Sequence, residues 1–250
     1  MRIHIISCRV LTREFSAFIA KADNHIDVSW LPQGLHDVPA VLHKRLDATL
    51  DQIEEEIANK QIKRAPDYIV LGYGLCSNAT TGLVARSIPL VVPRADDCIT
   101  LFLGSRERYQ EFFTKYSGTY WLTNEWVENS DEVQPNYFED LRRELMEKYD
   151  GDEDTVEYLM SVSASYVKNY KRVGFIKSCV HEDPRAEALA RGYADRYGLD
   201  FFDLQGDNGL LKKIIEGDFD EENFLTVPPG YGIKYTDGPE RMIAVPADEL

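Results

Sequence analysis

The segment Asp67-Tyr68-Ile69-Val70-Leu71-Gly72-Tyr73-Gly74-Leu75-Cys76 decides how the chain is read. Pro66 closes the preceding element, and four apolar residues then run without a charge. A run that short and that apolar is a strand buried on both faces, as parallel sheets require. Gly72 and Gly74 break it at its carboxyl end, and Cys76 follows in the loop. The pair falls short of a GxGxxG fingerprint, because Cys76-Ser77-Asn78 stands where the third glycine would be. The glycines are therefore read as allowing a tight turn, with Gly74 also a candidate for close approach to a cofactor.

Working outward, the same alternation recurs. Residues 3–7, 26–31, 67–71, 90–92 and 119–122 read as strands. Residues 12–21, 41–60, 78–85, 99–103 and 105–115 read as helices. The second of these carries Leu42, Leu46, Leu50 and Ile53 at helical spacing. Asn78 serves as the expected N-cap of the third. A polar stretch over 123–134 marks a change of character. Helices over 136–149 and 152–169 follow, then strands 173–176, 199–204 and 224–227, with helices 184–197 and 208–216 between them. Strand–helix–strand alternation predicts an α/β protein with a doubly wound, mostly parallel sheet. It is either one continuous domain or two Rossmann-like lobes, divided as 1–125 and 126–250. Strand order 2-1-3-4-5 is expected in the first lobe.

The chain of 250 residues carries 43 acidic and 28 basic side chains, a net charge of −15. That surface repels phosphate backbones and anionic lipid, so neither nucleic acid nor a membrane is an expected partner. No apolar run is long enough to span a bilayer, and the basic residues after Cys8 do not resemble a secretion signal. The four cysteines are widely spaced, which places the protein in a reducing cytoplasm.

In an open parallel sheet, ligands sit at the carboxyl ends of strands. Cys8, Cys76 and Cys98 follow the first, third and fourth strands, which are neighbours in the expected order. Three thiols at one edge either pack as apolar side chains or ligate zinc or an iron–sulfur cluster. The turn at Cys76 is expected to aim a helix N-terminus at its thiol and lower its pKa. His36, beside Asp37 after the second strand, is a candidate fourth ligand or acid–base group. His43 on the long helix is expected to face solvent. Arg94 and Arg106 flank Cys98 and are candidates to hold a small anionic ligand, or else to pair with Asp96, Asp97 and Glu107. Cys179 and His181 follow the strand at 173–176 in the same manner.

Several of these loops together resemble the domain-of-unknown-function 1638 family. The resemblance is carried by Leu35-His36-Asp37, Tyr73-Gly74-Leu75-Cys76, Pro93-Arg94, Asp97-Cys98-Ile99-Thr100-Leu101 and Gly104-Ser105-Arg106. It extends through Gly206-Asp207 and Gly217-Asp218-Phe219-Asp220 to Pro228-Pro229-Gly230. Ser77-Asn78 replaces a glycine-containing pair expected there. The resemblance implies a setting in anaerobic bacteria and methanogenic archaea, near corrinoid-dependent methyltransferases, and brings no established activity. The leading expectation is a metal- or cluster-binding protein of anaerobic one-carbon or corrinoid metabolism. One alternative is an accessory protein docking on a corrinoid protein or methyltransferase through Tyr120, Trp121 and Trp126. The other is a metal-free transferase with Cys76 as nucleophile.

Overall fold

The computed structural model describes residues 1–163 and 165–250. They form two compact units: Met1–Tyr109 with Asp207–Leu250, and Gln110–Gly206. The second unit is thus an insertion in the first, and the division expected at residue 125 is replaced by two crossings of the chain. The local sequence pattern carries no trace of the return, because the returning segment is an ordinary helix and strand.

In the first unit, β1 (Arg2–Cys8), β2 (His25–Leu31), β3 (Tyr68–Gly72) and β4 (Leu90–Pro93) are mutually parallel. The helices α1 (Thr12–Ile19) and α2 (Pro39–Ala58) make the crossovers. Leu42, Leu46, Leu50 and Ile53 on α2 are buried, one apolar stripe spaced by three and four residues. The full order is β2-β1-β3-β4-β8, where β8 is Phe224–Val227. β8 runs antiparallel to β4 and takes the place expected for residues 119–122. It reaches the edge after α9 (Gly209–Glu216). The chain leaves β1 toward β2 on one side and β3 on the other, so the order reverses between β1 and β3. Such a reversal opens a crevice beyond the carboxyl ends of those two strands.

Residues 78–85 are not helical, contrary to the periodicity. Cys76, Ser77 and Asn78 have φ of 45°, 59° and 64°, a short left-handed turn. Residues 82–85 then run beside β9 (Tyr231–Tyr235), which forms a hairpin with β10 (Met242–Pro246). The Gly82 N–H donates to the Ile233 carbonyl at 2.8 Å, and the Ala85 N–H to that of Tyr231 at 2.9 Å. Those donors would have been spent within a helix. The preceding loops lead into α3 (Cys98–Leu103) and α4 (Arg106–Lys115).

The second unit has its own parallel sheet, β5 (Thr119–Thr123), β6 (Arg172–Lys177) and β7 (Asp200–Gln205). A short helix, α5 (Asn124–Glu128), opens the polar stretch that marks the change of character. After α6 (Tyr137–Lys148), the helix expected over 152–169 is α7 (Glu153–Ser163) and a 3-10 turn, Ser165–Asn169. Residue 164, between them, lies outside the described residues. Asp183 caps α8 (Pro184–Tyr197), the reading its place before Pro184 gives, accepting from the N–H groups of Arg185 and Ala186. Leu122, Val173, Phe175, Ala190 and Tyr193 centre the core. The aromatic trio expected to form a docking surface packs within this unit. Tyr120 stacks on Tyr193, Trp121 meets Phe202 edge-on, and Trp126 lies against the core. Among the described residues, no helix is long and apolar enough to cross a membrane.

Candidate functional site

The three thiols come from the loops at the carboxyl ends of β1, β3 and β4. Cys8 is the last residue of β1, Cys76 lies four residues past β3, and Cys98 opens α3. Two loops are laced together to bring them there. The Leu75 N–H donates to the Ala95 carbonyl at 2.8 Å, and the Cys76 N–H to the Asp96 carbonyl at 2.9 Å. Gly74 permits this approach, since a Cβ on it would sit 2.4 Å from the Ala95 carbonyl oxygen. Backbone approach thus accounts for Gly74 without a cofactor.

The left-handed turn at 76–78 costs on the order of 1–2 kcal/mol per non-glycine residue, and its neighbours hold it. The Ala79 N–H donates to the Cys76 carbonyl and the Thr81 N–H to that of Asn78. His43, expected in solvent, is half-buried and places its Nδ1 3.0 Å from the Ala79 carbonyl.

Electrostatics ties the three thiols to one another and to three further groups. Burial pushes Cys76 up to about 12, with Asp97 the next cause and Cys8 a further one. Burial likewise raises Cys98 well above the usual thiol range, helped by Asp97, Cys76 and Cys8. Cys8 is also raised by burial, while a hydrogen-bonding interaction with Tyr73 pulls the other way. Cys98 retains some accessible surface as a residue, but its sulfur is closely surrounded, and burial governs its titration. The expected lowering of the Cys76 pKa is therefore reversed: residues 78–85 do not form the helix expected to point at it, and burial disfavours a thiolate. Asp97 is itself raised by burial. Its Oδ1 accepts from the Ile99 and Thr100 N–H groups, and the Tyr109 hydroxyl donates to its Oδ2 at 3.4 Å. At neutral pH these are protonated thiols with suppressed nucleophilicity. Among the described residues, no group of three or more His, Cys, Asp or Glu is arranged to hold a metal ion as it stands.

The other candidates lie elsewhere. The Arg94 guanidinium, expected to face the thiols, donates to the carbonyls of Glu221, Glu240 and Met242. Arg106 donates to that of Pro239. Both arginines fasten the C-terminal segment, which local sequence could not reveal because the acceptors are backbone atoms more than 120 positions away. Asp96 pairs with Arg241 at 2.9 Å rather than with either. His36 stands in a 3-10 turn with its Nε2 3.4 Å from Asp37 Oδ1.

Cys179 and His181 belong to the second unit, where they line a cavity of about 540 Å³ with Asn124, Lys177 and Glu187. The Cys179 thiol is exposed and donates to the Gly206 carbonyl at 3.0 Å. Sequence reasoning passed over Tyr73, and read Asp97 as a partner of arginine. The placement of Tyr73 directly after a strand whose neighbour ends in cysteine was the available signal.

The fold is that of an α/β protein with a mostly parallel sheet whose strand-end loops carry Cys8, Cys76 and Cys98. The chain belongs to the family described as protein of unknown function, DUF1638, whose model matches residues 30–215. That span includes Tyr73, Cys76 and Cys98, while Cys8 precedes it. No curated protein and no solved structure matches the chain.

Proposed function

We propose that the first unit binds a thiophilic metal, zinc or iron, the latter alone or as an iron–sulfur cluster, through Cys8, Cys76 and Cys98. The observation that carries this reading is the convergence of three thiols, from three segments, on the switch-point crevice, held there by laced loops and a strained turn. Packing alone has no need of such a turn, whereas strain of this kind gathers at functional sites. The site is not preset. Binding replaces three protons and draws the sulfurs to roughly 3.8 Å from one another, as tetrahedral Zn–S bonds near 2.3 Å demand.

A metal-free nucleophile fits poorly. With its pKa near 12, Cys76 is a thiolate in only about one molecule in 10⁵ at pH 7. In the docking reading Tyr120, Trp121 and Trp126 would present only the part of each side chain not packed within the second unit. One-carbon or corrinoid metabolism as the setting rests on the family resemblance, and a reducing cytoplasm on the wide spacing of the four cysteines.

The test is purification without oxygen, followed by elemental analysis and an absorption spectrum. Close to one zinc, or iron with sulfide, per chain is expected. A protein with four titrating thiols that takes up neither metal from solution sinks the reading.

A further inference from the structure

The cavity of about 540 Å³ in the second unit has no part in the metal reading. Its wall is drawn from the carboxyl ends of all three strands: Asn124 after β5, the segment from Lys177 to His181 after β6, and Gln205 at the end of β7. That is the edge at which parallel sheets take ligands. Cys179 stands exposed there, with its sulfur oriented on both sides. The thiol donates to the Gly206 carbonyl at 3.0 Å, and Gln205 Nε2 donates to the sulfur at 3.6 Å. A donor on sulfur favours the thiolate, the form that reacts.

The rest of the wall says what this thiol can meet. Four backbone donors are spent: those of Val180 and His181 on Ser178 Oγ, and those of Arg185 and Ala186 on Asp183 Oδ1. The Lys177 ammonium is shared between Asp203 and Glu187, which also take Arg191. Those two cations and two carboxylates match. Glu182 and Asp183 also line the cavity, and among the described residues no ion pair engages either. Asn124 is 4 % exposed, and its Nδ2 donates to the His181 carbonyl, while its Oδ1 accepts no hydrogen bond. A sealed acceptor in that state costs free energy until a donor reaches it. The wall thus offers acceptors and negative charge to a ligand, and little for an anion.

We propose that this cavity is a site of reversible modification, where Cys179 takes up a small cationic aminothiol as a mixed disulfide. The oxidant is the aminothiol's own disulfide. The Cys179 thiolate attacks one of its sulfurs, the new S–S bond forms as the old one breaks, and the departing aminothiol takes the proton that Cys179 gave up. A second free thiol reverses the exchange. The ammonium of the bound half faces Glu182 and Asp183.

The experiment exposes reduced full-length protein to three disulfides: cystamine, which is cationic, neutral hydroxyethyl disulfide, and anionic dithiodipropionate. Each rate is divided by that disulfide's rate with N-acetylcysteine, which removes intrinsic reactivity. One adduct, mapped to Cys179 by mass spectrometry, is expected. Cystamine should lead the neutral disulfide by about tenfold, as two partly exposed carboxylates acting on one ammonium allow, and the anionic one should be slowest. Glu182→Gln, at an exposed position, should keep its native circular dichroism and lose most of that lead. Equal normalised rates in the wild type, a lead that Glu182→Gln leaves intact, or an adduct formed first on Cys8, Cys76 or Cys98 overturns the proposal. None of these outcomes bears on metal binding in the first unit.

Discussion

The two parallel sheets each end in a cysteine-bearing loop, and the two loops have opposite characters. Beyond β3, Cys76 is buried, sits in a left-handed turn and shares its surroundings with two other thiols, Asp97 and Tyr73. Beyond β6, Cys179 is exposed beside an open cavity and donates to a nearby carbonyl. Its loop is held by ordinary means: Ser178 Oγ accepts from the N–H groups of Val180 and His181, and Gln205 Nε2 donates to the Lys177 and Ser178 carbonyls. Strand-end position is common to both and so cannot by itself mark a thiol site. What separates them is topology. The first sheet reverses its order between β1 and β3 and brings three loops to one crevice, whereas β5-β6-β7 is laid down in sequence.

The largest test of that contrast is the pair Cys76→Ser and Cys179→Ser. The first should abolish metal content while circular dichroism stays native, since a loop ligand can be lost without opening the core. The second should leave metal content unchanged. The reverse outcome, read by elemental analysis, would move the site to the second unit.

A smaller effect is expected in alkali. Cys76 titrates near 12 in the folded protein, against 9.0 when unperturbed. Below pH 9 both states keep the proton. Above it the unfolded chain releases its proton and the folded chain does not, so stability falls by about 1.4 kcal/mol per pH unit for this thiol, until the folded pKa is reached. Cys8 and Cys98 act in the same direction. Urea midpoints of metal-free protein between pH 8 and 11 should decline, and Cys76→Ala should decline less steeply. Parallel slopes would place the thiol in solvent. Cys179→Ala, at an exposed position, should track the wild type.

The smallest effect concerns the strained turn. Ser77 is exposed with φ of 59°, so Ser77→Gly relieves strain without deleting a core contact. Stability should rise by about 1 kcal/mol, measured by denaturant unfolding. The matching change in the second loop, Ser178→Gly, should lower stability, because it removes the hydroxyl that accepts from two backbone donors. A loss at Ser77 would show that its side chain, and not the turn, matters.

The sequence by itself determined the strands up to β8, most helices, the cap at Asp183, and the mostly parallel character of the sheets. These follow from apolar spacing and from side chains that reach only a few residues along the chain. It also singled out Cys8, Cys76 and Cys98 as candidates, because a thiol at a strand end is visible locally and the flavodoxin-like order 2-1-3-4 makes those strands neighbours. The tertiary structure alone decided that β8, not residues 119–122, closes the first sheet, since an apolar strand does not encode its partner. It alone decided that residues 82–85 pair with β9 instead of forming a helix, because hydrogen bonds between residues some 150 positions apart override local periodicity. It likewise decided that Arg94 and Arg106 serve backbone carbonyls, and that Tyr73 lies among the thiols. Burial raised the thiol pKa values, and burial belongs to the assembled core, not to any one segment of the chain.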